Sequence, residues 1–117
     1  TMEKIQSKII ILIKLLLTLA FGAAGIAKIM GAEMMVATFD AVGVGQWFRY
    51  VTGIIEVSGA LLLWVNGRQA IGAGLLTCTM VGAVVAHIFF IGPSAMPAAV
   101  LGVLSAYILF KHKDQVL

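Results

Sequence analysis

The sequence predicts an all-α protein: a transmembrane four-helix bundle, N- and C-termini cytoplasmic, in a single domain over residues 1–117. Three observations predict it. Hydrophobic residues make up 62% of the chain and charged residues only 11%, against roughly a quarter charged in ordinary soluble domains, so the apolar excess requires lipid as its solvent. The apolar residues gather into four runs separated by turn residues. Lysine and arginine divide unequally between the two sets of loops, and that asymmetry orients a membrane bundle.

The first helix is expected over residues 9–30, which supply the roughly 20 mainly apolar residues that a membrane crossing needs. The basic start lacks the short apolar core and cleavage site of a secretory signal, so this run is expected to stay in the protein. Residues 31–46 form the one long connection. Gly43 and Gly45 imply irregular backbone there, after a short amphipathic turn around residues 34–39. The second helix, 47–65, opens on Trp47, Phe48 and Tyr50 and closes near Trp64, aromatics that suit the two membrane interfaces. Asn66 and Gly67 signal a tight turn into a third helix over 70–91. Gly92 and Pro93 turn the chain again, and the fourth and shortest helix covers 95–110. Pro97 fits its first turn, where the missing N–H removes no helical bond. Gly74, Cys78, Gly82 and Ala86 recur every four residues, as do Ala98, Gly102 and Ala106. Small side chains at that spacing let backbones approach closely in lipid, so helices three and four are expected to pack along these stripes, which also suit a homo-oligomer contact.

Lys4, Lys8, Arg68, Lys111 and Lys113 fall on one side of the bundle, Lys28 and Arg49 on the other. The richer side is read as cytoplasmic, and the expected location is the bacterial inner (plasma) membrane, with the lipid bilayer as the main partner. A formal charge of +3 with its lysines at helix ends offers no groove-tracking basic patch, which excludes nucleic acid. The single Cys78 excludes an intramolecular disulfide and multi-cysteine zinc or iron–sulfur sites. No metal site is expected. A haem held by two histidines is not expected either, because His112 lies in the cytoplasmic tail, far from the depth of His87. The six methionines, Met34, Met35 and Met80 among them, read as packing residues.

Ionisable groups in lipid cost roughly 2.5 to 3.5 kcal/mol each at a helix centre and normally face a partner or a cavity. Lys14, near the cytoplasmic end of the first helix, can snorkel to the interface along its aliphatic stem. Lys28, Glu56 and His87 instead share the outer half of the bundle, with Glu56 deepest. On the second helix Arg49, Thr52, Gly53, Glu56, Gly59 and Ala60 fall on one face, a small and polar stripe expected to face protein. The expected ligand-binding residues are therefore Lys28, Glu56, His87, Arg49 and Thr52, lining a polar pocket toward the outer face. A Lys28–Glu56 ion pair that only fixes helix packing is the competing reading, and no residue is assigned a catalytic role.

At these residues the sequence resembles the DoxX-like family of small four-helix integral membrane proteins. Phe21-Gly22-Ala23-Ala24-Gly25-Ile26-Ala27-Lys28 is similar to the family's aromatic, glycine and lysine signature. Gly53-Ile54-Ile55-Glu56-Val57-Ser58-Gly59-Ala60 is similar to its glycine, glutamate and glycine signature, and the Asn66-Gly67-Arg68 turn and the third helix ending at His87 extend the likeness over nearly the whole chain. The resemblance implies the four-helix fold and a polar site at Lys28 and Glu56. It also implies neighbours among redox-linked membrane proteins, the family taking its name from a subunit of an archaeal thiosulfate:quinone oxidoreductase, while animal relatives look like assembly chaperones for receptor channels.

Three functions stay open at this point. The first is a small-ligand module or accessory subunit that holds a quinone or a lipid head group. The second is a quinone-linked oxidoreductase subunit whose redox centre comes from a membrane or redox protein partner, since this chain has no autonomous redox motif and no cysteine pair. The third is a small proton-coupled transporter. It ranks last, because four-helix multidrug exporters carry their essential glutamate on the first helix, and Glu56 is on the second.

Overall fold

The computed structural model describes residues 1–92 and 94–117, so the Pro93 half of the expected 92–93 turn lies outside the described residues. These residues are all-α. The elements are α1 (Met2–Met30), α2 (Glu33–Val42), α3 (Trp47–Leu62), α4 (Gln69–Ala86) continuing into a π-helical turn (His87–Ile91), α5 (Met96–Lys111) and a 3₁₀ turn (Lys113–Gln115).

Two elements differ from expectation. α1 begins at Met2, where the Thr1 hydroxyl accepts the Lys4 amide at 3.3 Å, an N-cap that carries the helix back through the charged start. The first connection is not a single amphipathic turn but the ten-residue α2. Gly31, at φ 74, takes the left-handed conformation that ends α1, and the Ala32 amide then bonds the Ala27 carbonyl at 3.0 Å. That closure is the usual glycine stop of a helix, and it frees the chain to start α2 almost at once. Gly43, at φ 82, ends α2 in the same way. Pro97 does stand in the first turn of α5.

α1 packs on α3, α3 on α4 and α4 on α5, while α5 touches α1 and partly closes the ring. Glycines decide the first two crossings. A Cβ on Gly25 would lie 2.9 Å from the Gly53 carbonyl oxygen, and one on Gly72 would lie 2.7 Å from that of Gly59, so any larger residue would push the helices apart. Leu17, Phe21, Leu63, Leu76 and Ile108 fill the space between the helices and are almost completely buried.

The small-residue stripe expected to pack α4 does not do so. Nothing lies within 4 Å of a Cβ built on Gly74 or Gly82. α4 is buried instead through Gly72, Ala73, Leu76 and Met80, a face chosen because its bulky members fill the core while Gly72 admits the α3 backbone. On α5, Gly102 does receive α4, with Met80 Cβ 3.2 Å away.

Among the described residues two stretches are long and apolar enough to cross a membrane, Met2–Met30 and Gln69–Ile91; Met96–Lys111 is apolar but shorter. Leu19, Leu61, Val81 and Val103 stand on the outside of the bundle, each more than half exposed. Such an apolar exterior suits lipid contact and not water.

Candidate functional site

Glu56 faces inward because α3 turns its smallest and most polar residues toward its neighbours: Arg49, Gly53, Glu56, Gly59 and Ala60 are the buried set of this helix. Only 1% of Glu56 is exposed. Lys28, in the last turn of α1, reaches it with Nζ 2.7 Å from Oε1. The two side chains are 13% and 2% exposed, lysine first. The contact is an ion pair and not an aligned hydrogen bond, since Glu56 Oε1 has no donor lined up on it among the described residues. A buried carboxylate oxygen in that condition retains capacity to accept a proton donor.

The pair lies on the wall of an open cavity of about 540 Å³ bordered by α1, α2, α3, α4 and the π turn. Thr52, Cys78 and His87 share the wall with Lys28 and Glu56, and the rest is mainly apolar, with Met34, Met35, Phe39, Phe48, Ile55 and Met80 prominent. This volume falls within the usual range of small-molecule sites, which combine apolar walls with few polar groups.

α2 forms one side of that cavity, and three contacts hold it there. Phe39 is buried and meets Phe48 edge to face at 5.8 Å between ring centres. Gln46 Nε2 donates to the Val36 carbonyl at 3.0 Å and to Asp40 Oδ1 at 2.8 Å. Its Oε1 accepts from Arg49 Nε at 2.7 Å, so one glutamine ties α2 to the start of α3.

Of the five residues expected to bind ligand, the structure brings four to the cavity. Lys28, Thr52, Glu56 and His87 line it; Arg49 does not. Arg49 is buried against the end of α1, where Nη1 donates to the Lys28 carbonyl, and its guanidinium lies 4.3 Å from the Tyr50 ring centre. A cation suits that position, because the last carbonyls of a helix carry partial negative charge. Arg49 thus braces the end of α1 that carries Lys28. Thr52 Oγ1 donates to the Phe48 carbonyl at 2.8 Å, which leaves its lone pairs available toward the cavity. His87 opens the π turn, a backbone form that often marks functional sites.

Sequence reading missed three kinds of contributor. Met34 and Met35 read as packing residues yet form cavity wall, while Met80 packs in the core as expected and also reaches that wall. Cys78 and Gly82, read as helix-packing positions, face the same space. Gln46 gave no signal beyond being a polar residue just before an apolar helix.

The family model described as the DoxX-like family matches residues 12–109 of the chain. The chain is also similar to a Bacillus subtilis (strain 168) protein with the name Uncharacterized protein YdgD, at 38% identity over 84 residues, covering 68% of this chain and 73% of that one. No solved structure matches.

Proposed function

Because the chain belongs to the DoxX-like family, whose members are membrane proteins, we propose that it is a membrane-embedded binding module for a small ligand with an apolar body and one compact polar end. A quinone or a lipid head group has that form. The proposal includes the arrangement in the bilayer: four crossings, both termini cytoplasmic, in the bacterial inner membrane. α3 and α5 have 16 residues each, about 24 Å of helix, and a bilayer adapts to so short a crossing by local thinning at modest cost.

The observation that carries this reading is the Lys28–Glu56 pair set in the wall of a largely apolar cavity. Lys28 is the donor for a ligand carbonyl or phosphate oxygen, and Glu56 Oε1 is the acceptor for a ligand hydroxyl. Methionines and aromatics around them take the apolar body, where flexible thioethers adapt to an irregular shape. A pair that served packing alone would need no cavity beside it.

Cys78 supplies the test, being exposed and on the cavity wall. The full chain in lipid nanodiscs is titrated with a short-tailed quinone and, separately, with a lysophospholipid, while maleimide modification of Cys78 is followed. One of the two is expected to protect the thiol, and Glu56→Gln is expected to abolish that protection. Absence of protection by both, or equal protection in a folded Glu56→Gln variant, rejects the reading.

A further inference from the structure

α1 presents two opposite faces. Lys14, Leu17, Phe21 and Gly25 turn into the bundle. On the other side Met2, Ile5, Ile9, Leu12, Leu16 and Leu19 follow one another at alternating steps of three and four residues. All six are exposed, from 44% at Ile9 to 73% at Leu19. The row continues through Ala23, Ile26 and Met30, which are exposed as well. About four heptads therefore carry an apolar residue at every a and d position, the pattern of a helix that winds on another helix of the same period. A strict seven-residue repeat on a 3.6-residue helix also sets the hand of the crossing, which is left-handed.

Lipid alone does not account for this row. α1 has 29 residues, about 44 Å of helix, against a hydrocarbon layer of about 30 Å. The excess is at its start, where Glu3, Lys4, Gln6, Ser7 and Lys8 keep the helix out of the acyl chains. Every residue from Thr1 to Ile9 is exposed, and within that stretch the apolar residues are Met2, Ile5 and Ile9, all on the row. An apolar stripe confined to a and d is the narrow seam of a coiled coil. α1 is unbroken from Met2 to Met30, so its first turns cannot fold down to lay that stripe on the membrane surface. Their cover has to be another helix that leaves the membrane beside α1.

A second copy of the chain supplies such a helix. Copies inserted in the same orientation carry the same row at the same depth, and a twofold axis along the membrane normal sets each a and d residue against its own counterpart, a contact that closes on itself. No charged residue stands on the row, and Lys4 and Lys8 lie off it, so pairing buries no charge. We infer that the outer face of α1 is the interface of a parallel homodimer, crossing at about 20° as left-handed membrane helix pairs do. Lys28 and Glu56 meet on the bundle side of α1, so each copy keeps its own cavity. The inference shares the membrane placement proposed above but not the ligand; failure of ligand to protect Cys78 leaves it standing.

Disulfide cross-linking of the full chain in liposomes provides the test. In a Cys78→Ser background, Leu12→Cys, Leu16→Cys and Leu19→Cys are expected to form dimers on mild oxidation. Ile11→Cys, Val81→Cys and Val103→Cys, equally open positions off the row, are expected to form few. Energy transfer between donor- and acceptor-labelled copies, followed as they are diluted in lipid, measures the strength of pairing. Ile5→Glu with Ile9→Glu is expected to weaken it roughly tenfold or more; neither residue belongs to the bundle core, so the fold is left intact. Lys4→Gln with Ser7→Glu changes the net charge equally, off the row, and is expected to leave pairing unchanged. Cross-linking that is equal at all positions or absent from the row, no transfer in the wild type, or transfer that persists undiminished in the Ile5→Glu, Ile9→Glu chain overturns the inference.

Discussion

Gly25 and Gly53 meet across the α1–α3 crossing so closely that a Cβ on Gly53 would lie 2.8 Å from the Gly25 carbonyl oxygen. The same Cβ would lie 3.0 Å from Lys28 Cβ. The missing side chain at position 53 therefore does two things: it lets the helices touch, and it opens the path by which Lys28 runs along α3 to Glu56.

Gly53→Ala is expected to destabilise the protein by about 1–3 kcal/mol, the usual cost of overpacking. Gly22→Ala is the contrast. Nothing lies within 4 Å of a Cβ there, so that change is expected to stabilise α1 by about 0.5–1 kcal/mol through helix propensity. Thermal unfolding in detergent measures both, and equal midpoints for the two variants would show that the crossing is looser than described.

The ion pair is expected to behave as a unit. Lys28→Met leaves the buried Glu56 without its partner, a situation that costs about 3–5 kcal/mol in proteins. The double variant Lys28→Met, Glu56→Gln removes both charges and is expected to recover much of that loss. A double-mutant cycle measures the coupling; purely additive effects would mean that the two side chains do not depend on one another.

Stability is expected to fall in mild acid because of His112. Burial, and secondarily the Lys14 charge, hold its imidazole below the ordinary 6.5. The folded chain thus favours the neutral ring, while the unfolded chain still takes up a proton near 6.5, so this contribution is fully present above that pH and is lost as pH drops toward the lower folded value. The charged group concerned is Lys14 from α1. Thermal midpoints over roughly pH 5 to 8, the window in which imidazoles titrate, are expected to decline on the acid side in the wild type and to flatten in His112→Gln.

Gln115 is expected to hold the chain end in place. Its Oε1 accepts the Ala70 amide at 2.8 Å, and its Nε2 donates to Gln69. Gln115→Ala strands a part-buried amide at the start of α4, at a cost of about 1–3 kcal/mol. Limited proteolysis after Lys111 and Lys113 is expected to accelerate, and an unchanged cleavage rate would argue that α4 secures this end without help.

The helices were legible in the sequence because long apolar runs carry their own boundaries: Gly31 stops α1, and Asn66-Gly67 separates α3 from α4. Lys28 and Glu56 were legible because charge in an apolar helix has to be accounted for. Arg49 was harder to place. Its charge marked it as noteworthy, but whether an arginine meets a ligand or a helix carbonyl depends on the orientation of α1 relative to α3, which periodicity does not carry. The choice of packing face on α4 failed for a related reason, since small residues at four-residue spacing occur on both sides of that helix and only bulk, at Leu76 above all, marks the core side. α2 was missed as a helix because ten residues with mixed polarity form one only when Phe39 and Gln46 anchor them.

α2 is joined at both ends through left-handed glycines, Gly31 and Gly43, and so makes a detachable part. The acid and base come from α1 and α3, whereas much of the shape opposite them comes from a short segment bracketed by two backbone hinges. Substitutions between those hinges can re-tailor which molecule fits while the Gly25–Gly53 contact stays intact. Variation confined to those eleven or so residues would alter the cavity wall while leaving the Lys28–Glu56 pair in place.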